Sequence, residues 1–229
     1  MKKIVFLTGA GASAESGVKT FRDHDGLWNN HDIMEVASTY GWQKNKELVL
    51  EFYNQRRKQL DEVFPNEGHK IIGELEKDFE VVVITQNVDD LHERGGSTKV
   101  IHLHGELKKM CSSRNKELTL PYDRDILVGD THEDGTQLRP FIVWFGESVP
   151  LLEDAIHEIR SANIVVILGT SLVVLPAAGL KDYAPGDCDM FYIDPNPSDE
   201  KFYREIKVIT KVASEGMVEL KEILKGHVA

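Results

Sequence analysis

The sequence predicts an α/β fold: a Rossmann-like parallel sheet with helices on both faces, plus a smaller module formed by two insertions. Four short apolar segments rich in β-branched residues are typical of strands buried on both faces. They are residues 3–8, 80–85, 163–168 and 190–193. Four segments with helical periodicity lie between and after them, at 45–63, 67–77, 151–161 and 214–225. This alternation indicates a parallel sheet covered on both sides.

The whole chain, residues 1–229, is predicted to form a single domain with a large and a small part. The large Rossmann-like part comprises 1–29, 77–106 and 139–229. The small module combines a mostly helical insertion, 30–76, with a second insertion, 107–138. The second insertion is polar and has too few apolar residues to form a core alone.

Composition limits the classes of function. A net charge of −11 disfavours a nucleic-acid-binding surface; it suits a basic protein or peptide partner, or serves solubility alone. Cys111 and Cys188 are too few for a disulfide framework or a four-cysteine zinc site, which predicts a reducing cytoplasm. The apolar run Ile4–Leu7 is too short for a signal peptide, and no stretch could span a membrane. We expect a cytoplasmic monomer.

A glycine-containing turn follows the first strand. Residues 9–14, GAGASA, fit G-x-G-x-x-G/A, which lets the backbone approach a pyrophosphate at a helix N-terminus. Alone, the pattern fits an ordinary tight strand-to-helix turn equally well. A dehydrogenase needs a second strand ending in an acid about 20 residues later, but residues 15–32 are polar and contain no apolar strand. They predict an ordered loop over a ligand and disfavour hydride transfer.

Five segments, in family order from Ile4 to the last helix, together resemble the sirtuins, which are NAD-dependent protein lysine deacylases. They are GAGASAESGVKTFRD, TQNVDDLH, HLHGEL, RPFIVWFGESVP and GTSLVVLP. The resemblance implies the sirtuin fold and a reaction in which the acyl-lysine carbonyl oxygen attacks the nicotinamide ribose carbon. Nicotinamide leaves and the acyl group ends on ADP-ribose. NAD would be a consumed co-substrate, and acylated lysine proteins or peptides would be the partners.

The resemblance places His104 at the catalytic position, with Asn87 and Asp89 completing the catalytic set. A neutral imidazole, with an unperturbed pKa of about 6.5, can accept a ribose hydroxyl proton near neutrality. His102 is interpreted as a structural histidine bonded to backbone. Gln86, Asn87 and Asp89 would hold ribose hydroxyls and the nicotinamide amide, whereas without the other motifs they would be read as turn residues.

Further NAD-binding positions follow from the same resemblance. Phe21 would shield the reacting ribose, and Arg22 would lie near the phosphates. Asp194 stands where many relatives carry asparagine, and an acid can accept from both adenosine ribose hydroxyls. The remaining positions are Gly9, Ala10, Gly11, Ala14, Glu15, Trp28, Val88, Gly169, Thr170, Ser171, Pro195, Asn196 and Ala213.

Two segments resemble those that hold the substrate peptide as an added strand. One is 172–174; the other supplies Val143, Phe145, Gly146 and Glu147. Because backbone hydrogen bonds read little sequence, we expect broad tolerance around the acylated lysine.

Tyr53 and Arg56, at spacing i, i+3, project from one face of a predicted helix. They match the Tyr-x-x-Arg pattern of sirtuins that remove succinyl, malonyl or glutaryl groups, and the small Ala14 would leave room for a longer acyl chain. A guanidinium and a phenol can bind a carboxylate that is costly to bury unpaired. The alternative is a solvated arginine, but no acid lies one helical turn away; Arg57 looks more like a surface residue. We expect a succinyl-type preference with some deacetylation.

The zinc region departs from the family. Sirtuins usually carry two Cys-x-x-Cys pairs in the second insertion, whereas Cys111 is followed by Arg114 and no other cysteine precedes Cys188. We therefore expect no zinc, and local packing must replace it. Rescue of a metal by His132 and nearby carboxylates is a weaker alternative.

Two rival functions remain open. One is a catalytically silent NAD or ADP-ribose sensor, against which His104 and the peptide-binding segments argue. The other is protein ADP-ribosyl transfer, which the sequence disfavours only softly.

Overall fold

A computed structural model describes residues 1–19, 27–28, 31–198, 202 and 205–228. The strands and helices in chain order are β1 (Lys3–Thr8), α1 (Gly11–Ala14), β2 (Leu27–Trp28), β3 (His31–Asp32), α2 (Ile33–Val36), α3 (Thr39–Lys44), α4 (Lys46–Gln59), α5 (Glu67–Glu74), β4 (Glu80–Thr85), α6 (Leu91–Arg94), β5 (Val100–His102), β6 (Gly105–Ser112), β7 (Thr119–Pro121), β8 (Leu138–Ile142), α7 (Leu152–Arg160), β9 (Ile164–Leu168), β10 (Asp189–Ile193), β11 (Lys207–Ile209) and α8 (Ala213–Leu224). Short 3₁₀ helices occupy Leu75–Lys77, Ala177–Tyr183 and Lys225–His227.

The centre of the molecule is a six-stranded sheet of order β11-β10-β9-β1-β4-β5, in which every neighbouring pair is parallel. The chain runs outward from β1 through β4 to β5, then returns to β9 on the other side of β1 and continues to β11. The direction of winding therefore reverses between β1 and β9. In open α/β sheets, ligands bind outside the carboxyl ends of the strands at such a reversal.

Side-chain alternation along β1 explains its continuous apolar sequence. Ile4 and Phe6 pack in one cluster with α5 and α8, whereas Val5 and Leu7 pack in another with α7 and the 3₁₀ helix 177–183. Since successive strand residues point to opposite faces, both faces of the sheet are covered. The predicted α/β class with helices on both faces is confirmed.

Helix α5 belongs to the sheet layer. Its Ile71 and Ile72 are buried in the cluster that contains Ile4 and Phe6, and α5 packs against α8. The predicted helical insertion of the small module, 30–76, therefore includes one helix, α5, that packs on the large sheet and not in the small module.

The small module has its own apolar cluster, to which both insertions contribute. Val49 and Leu50 of α4 pack with Leu107, Met110 and Leu138 of strands β6 and β8. Strands β7, β6 and β8 form an antiparallel sheet in that order. The polar segment 107–138 is thus stabilised by burying its few apolar side chains against the helical insertion.

Hydrogen bonds join α4 to the loop that follows β7. The Asn54 side chain accepts from the backbone N–H of Ile126 (2.9 Å) and donates to its carbonyl oxygen (3.0 Å). It also accepts from the Tyr122 hydroxyl. These buried bonds fix the helix that carries Tyr53 and Arg56. Across the described residues, no helix has the length and apolarity needed to cross a bilayer.

Candidate active site

The carboxyl ends of the central strands are level with one another. Thr8 at the end of β1 pairs with Thr85 of β4 and with Leu168 of β9, and Leu168 pairs with Ile193 of β10. The segments that follow these strands therefore meet at one edge of the sheet. Together with residues of the small module they line a single cavity of about 600 Å³.

Most of the predicted site residues line this cavity. They are Gly9, Ala10, Gly11, Ala14, Glu15, Trp28, Tyr53, Arg56, Gln86, Asn87, Val88, Asp89, His104, Val143, Phe145, Gly146, Glu147, Gly169, Thr170, Ser171, Asp194, Pro195 and Asn196. Ala213 is not among the lining residues; its neighbour Val212 is, and Ala213 packs in the apolar cluster beneath. Phe21 and Arg22 lie outside the described residues.

The glycine turn after β1 touches the turn after β9. The backbone N–H of Gly11 donates to the carbonyl oxygen of Gly169 (2.8 Å). A Cβ at Gly11 would lie 2.7 Å from the Gly169 Cα, and one at Gly9 would lie 2.7 Å from the Thr170 Cβ. The sequence suggested these glycines for approach to a ligand; the structure shows that contact between the two turns also requires them. The helix that follows, α1, is a single turn.

His104 lies between β5 and β6, and its Nδ1 is 3.1 Å from the carbonyl oxygen of Gln86. Because a carbonyl oxygen can only accept, Nδ1 carries the hydrogen and Nε2 of the neutral ring keeps a free lone pair. Burial lowers the pKa of His104, with the bond to Gln86 opposing this. The ring is therefore a neutral imidazole near pH 7, as a general base must be.

His102 is bonded at both ring nitrogens behind the cavity wall. Its Nδ1 lies 3.1 Å from the carbonyl oxygen of Asn87, and its Nε2 lies 2.7 Å from the Glu93 carboxylate. Burial alone would lower the pKa of His102, but the bond to Glu93 and its charge outweigh burial and raise it. The interpretation of His102 as a histidine bonded to backbone is confirmed.

A buried serine joins the Asn-Val-Asp segment into one network. The Ser13 hydroxyl donates to the Asp89 carboxylate (3.0 Å) and accepts from the Asn87 side-chain amide (3.0 Å). Burial raises the pKa of Asp89, while the backbone N–H of Leu91 and the Ser13 hydroxyl stabilise the carboxylate. Ser13 holds both side chains in one arrangement, a role that its place in the glycine-containing turn does not reveal.

Two further histidines support this network. His69 Nδ1 accepts from the backbone N–H of Asn66 (3.3 Å), so its Nε2 hydrogen faces the Ser13 hydroxyl at 3.4 Å. Burial lowers the pKa of His69 to about 4, which keeps the ring neutral. The His92 ring lies 4.8 Å from it and contacts the Thr8 hydroxyl at 3.0 Å. The capping pattern Asn66-x-x-His69 is a signal that could have found the first of these.

Three more cavity-lining residues, Gln86, Asp194 and Glu15, also form hydrogen bonds within the protein. Gln86 donates from its side-chain amide to the Thr170 hydroxyl (3.1 Å), and Asp194 accepts from the backbone N–H of Asn196 (2.8 Å). Burial raises the pKa of Asp194. The Glu15 carboxylate accepts two hydrogen bonds from Ser214, one from its backbone N–H (2.9 Å) and one from its hydroxyl (2.7 Å). The Glu15 side chain therefore caps α8, an additional role to the predicted one.

Tyr53 and Arg56 lie together in the wall formed by α4. Arg56 is only 4% exposed, and its guanidinium carbon lies 5.0 Å from the centre of the Trp28 ring. The alternative of a solvated arginine is therefore wrong. Arg57, which looked like a surface residue, is also buried, where it pairs with Asp125 (2.9 Å). It does not line the cavity.

The segment 143–147 is already paired with backbone on one side. Val143 donates its N–H to the carbonyl oxygen of His104 (2.9 Å). The N–H and carbonyl of Phe145 pair with Ala37 (2.9 Å) and Thr39 (3.1 Å). These groups are used inside the protein, and the N–H and carbonyl oxygen of the intervening Trp144 both pair with Glu147.

The Glu147 carboxylate is likewise engaged internally. It accepts from the Arg139 guanidinium (2.7 and 3.3 Å), the Trp144 backbone N–H (2.8 Å) and the Lys116 ammonium (2.7 Å). Although Glu147 lines the cavity, its charge is already paired.

A buried serine next to Cys111 organises part of the second insertion. The Ser112 hydroxyl donates to the Asp134 carboxylate (2.6 Å) and accepts from the backbone N–H groups of Arg114 and Asn115 (3.1 Å each). Burial raises the pKa of the adjacent Cys111 thiol to about 11. Among the described residues, no group of three or more His, Cys, Asp and Glu side chains is arranged to hold a metal.

Comparison with known proteins agrees with the geometry of this cavity. The family model for the Sir2 family matches residues 9–176. An NAD-dependent protein deacylase of Bacteroides thetaiotaomicron is 55% identical over 98% of this chain and 98% of its own length.

Solved structures of Sir2 proteins have the same fold. A Sir2 homologue in complex with NAD superposes with a TM-score of 0.87 at 35% identity, covering 100% of this chain and 91% of that one. A complex of Sir2 with a p53 peptide and NAD⁺ superposes with a TM-score of 0.80 at 27% identity, covering 99% of this chain and 94% of that one. The chain belongs to the Sir2 family.

Proposed function

We propose that this Sir2-family enzyme removes acyl groups from protein lysine side chains at the expense of NAD, and that it prefers acyl groups ending in a carboxylate. One observation carries the proposal. The free Nε2 of a neutral histidine, His104, and a buried Tyr53–Arg56 pair line the same cavity at the carboxyl edge of a parallel sheet.

The residues of the cavity suit NAD as a substrate. The touching turns after β1 and β9 expose backbone at the switch point of the sheet, where dinucleotides bind in folds of this type. Asn87 and Asp89, fixed by Ser13, offer an amide and a carboxylate to ribose hydroxyls and the nicotinamide amide. A preset arrangement of such groups reduces the entropy lost on binding.

The chemistry then needs a base but no resident cofactor. The lysine acyl oxygen bonds to the ribose carbon as the bond to nicotinamide breaks, and nicotinamide leaves with the electron pair. His104 Nε2 accepts the proton of a ribose hydroxyl, and that oxygen attacks the acyl carbon. The bond from the acyl carbon to the lysine nitrogen then breaks, and the amine leaves with a proton. A water molecule adds to the acyl carbon, and the bond between that carbon and the first oxygen breaks, which leaves the acyl group on the ribose hydroxyl oxygen. The products are nicotinamide, O-acyl-ADP-ribose and free lysine.

The proposed acyl preference depends on pairing the acyl carboxylate with a buried guanidinium, that of Arg56. Burying a carboxylate without a partner is costly, and the Arg56 guanidinium in the cavity wall would offset that cost through charge-assisted hydrogen bonds. Tyr53 adds a phenol donor from the same helical face. An acetyl group needs neither partner, so deacetylation should persist at a lower efficiency.

The direct test incubates the protein with NAD and lysine peptides carrying succinyl, malonyl or acetyl groups. Nicotinamide, acyl-ADP-ribose and deacylated peptide are followed together. We expect all three to form in equal amounts, with a higher kcat/KM for succinyl and malonyl peptides. Ligand binding without turnover would support the sensor, and ribosylated protein without deacylated peptide would support the ADP-ribosyltransferase. A higher kcat/KM for acetyl peptides would refute the acyl preference.

A further inference from the structure

The Tyr53 hydroxyl has a protein donor already in place. The indole Nε1–H of Trp144 donates to the Tyr53 oxygen at 3.1 Å, and both residues line the cavity. Trp144 is 2% exposed and Tyr53 is fully buried. The bond thus lies in a low-dielectric environment, where a hydrogen bond has its largest effect on orientation.

Trp144 is itself held on two sides. The Arg139 guanidinium carbon lies 3.4 Å from the centre of the Trp144 ring, and Arg139 is fixed by its two bonds to the Glu147 carboxylate. The same carboxylate accepts from the Trp144 backbone N–H. The Trp42 ring also packs against it, 5.2 Å away centre to centre. The indole therefore has little freedom to turn its N–H away from Tyr53.

A phenol has one proton to donate, and its oxygen can also accept. Because Trp144 donates to the oxygen, the Tyr53 proton must point elsewhere. Burial raises the pKa of Tyr53 well above its usual range, so the hydroxyl stays protonated at all relevant pH values. Arg56, three residues along the same helix, also lines the cavity.

We propose that Trp144 is a positioning residue for acyl-chain specificity: its N–H occupies the acceptor side of the Tyr53 oxygen and turns the tyrosine O–H toward a carboxylate held by Arg56. This inference rests on the proposed carboxyl-acyl preference. Trp144 acts through Tyr53, so its N–H should affect the binding of a succinyl or malonyl group. An acetyl group has no carboxylate to accept the Tyr53 O–H, so the orientation of that O–H should not affect its binding.

The test is a double-mutant cycle of Trp144→Phe and Tyr53→Phe, with kcat and KM measured for succinyl- and acetyl-lysine peptides. Trp144→Phe keeps an aromatic ring and removes the N–H. We expect it to raise the KM for the succinyl peptide roughly tenfold more than the KM for the acetyl peptide, the scale of one lost bond to a charged group. In the Tyr53→Phe background the same change should have no further effect on succinyl KM.

Phe79→Leu is the control for a general loss of packing, because Phe79 is as buried as Trp144 (2% exposed) but packs in the cluster of the large sheet and does not line the cavity. It should leave the succinyl-to-acetyl ratio unchanged. Should Trp144→Phe fold poorly, replacement of Trp144 by β-(benzothienyl)alanine keeps the bicyclic shape and removes only the N–H.

Two results would overturn the inference. Equal losses on succinyl and acetyl peptides, or full additivity of the two substitutions, would mean that Trp144 only supports the fold. If Tyr53→Phe and Arg56→Met lower the succinyl preference while the Trp144 variants do not, this inference fails and the proposed function stands. If Tyr53→Phe and Arg56→Met also leave the preference unchanged, the proposed acyl specificity fails with it.

Discussion

The carbonyl oxygen of Gln86 lies 3.1 Å from Nδ1 of His104, and this contact determines which ring nitrogen can act as a base. It occupies the protonated nitrogen and leaves the Nε2 lone pair available. Gln86 also donates through its side chain to Thr170 on the neighbouring turn. One residue therefore links the orientation of the base to the turn after β9.

The pH profile should show the state of His104. Burial lowers its pKa from the ordinary 6.5, so the neutral form persists to lower pH, and activity is lost as pH falls through the lowered pKa. We expect the acid limb of kcat/KM for acetyl peptide to have its midpoint below pH 6.5. A midpoint above this value would mean that the base is a different group or is stabilised as a cation.

Arg56→Met should reduce turnover of succinyl-lysine far more than that of acetyl-lysine. The lost charge-assisted bond corresponds to about 1.5–3 kcal/mol, or roughly tenfold to a hundredfold in kcat/KM. Arg57→Met is the matched control, because it removes a buried guanidinium from the same helix outside the cavity. Arg57→Met should lower thermal stability through the lost Asp125 pair and leave the succinyl-to-acetyl ratio as it was. Equal losses on both peptides for Arg56→Met would count against its role.

Ser13→Ala should lower kcat with any acyl peptide. The substitution removes a donor to the buried Asp89 carboxylate and an acceptor for Asn87, which frees both side chains. We expect a fall of about tenfold or more, from the scale of a lost bond to a charged group. Ser97→Ala, at another buried serine outside the cavity, serves as the control. Unchanged kcat in Ser13→Ala would show that Asp89 and Asn87 need no such support.

Stability of the small module should depend on Ser112 and not on a metal. Ser112→Ala leaves the Asp134 carboxylate and two backbone N–H groups without their shared partner. It should cost about 1–3 kcal/mol in the free energy of unfolding, measured by urea titration. The exposed neighbour provides the control Ser113→Ala, which should change little. A chelator should not shift the thermal midpoint; a clear drop would reveal a structural metal.

The sequence could predict the elements that carry strong local patterns. Strands β1 and β4 match the predicted ranges 3–8 and 80–85, because both faces of these strands are buried and the run is continuously apolar. Strands β6 to β8 were not predicted. Their burial follows no simple alternation, since β7 is exposed throughout and β8 is mostly buried. The burial of β6 and β8 depends on α4, which is distant in sequence.

The site residues also divide into those that sequence motifs identify and those that only the fold brings together. His104 and Asn87 could be named because they stand in motifs. The support of Asn87 by Ser13, and of Tyr53 by Trp144, joins residues more than 70 positions apart. Such partners become visible only when the fold brings them together.

The most direct test of the account is His104→Ala, assayed for acyl-ADP-ribose formation with NAD and succinyl-lysine peptide, alongside calorimetric titration of NAD. The account predicts that acyl-ADP-ribose formation falls at least a hundredfold, the order expected when a general base is lost, while NAD still binds. Formation of acyl-ADP-ribose at an unchanged rate in this variant would contradict the role of the imidazole.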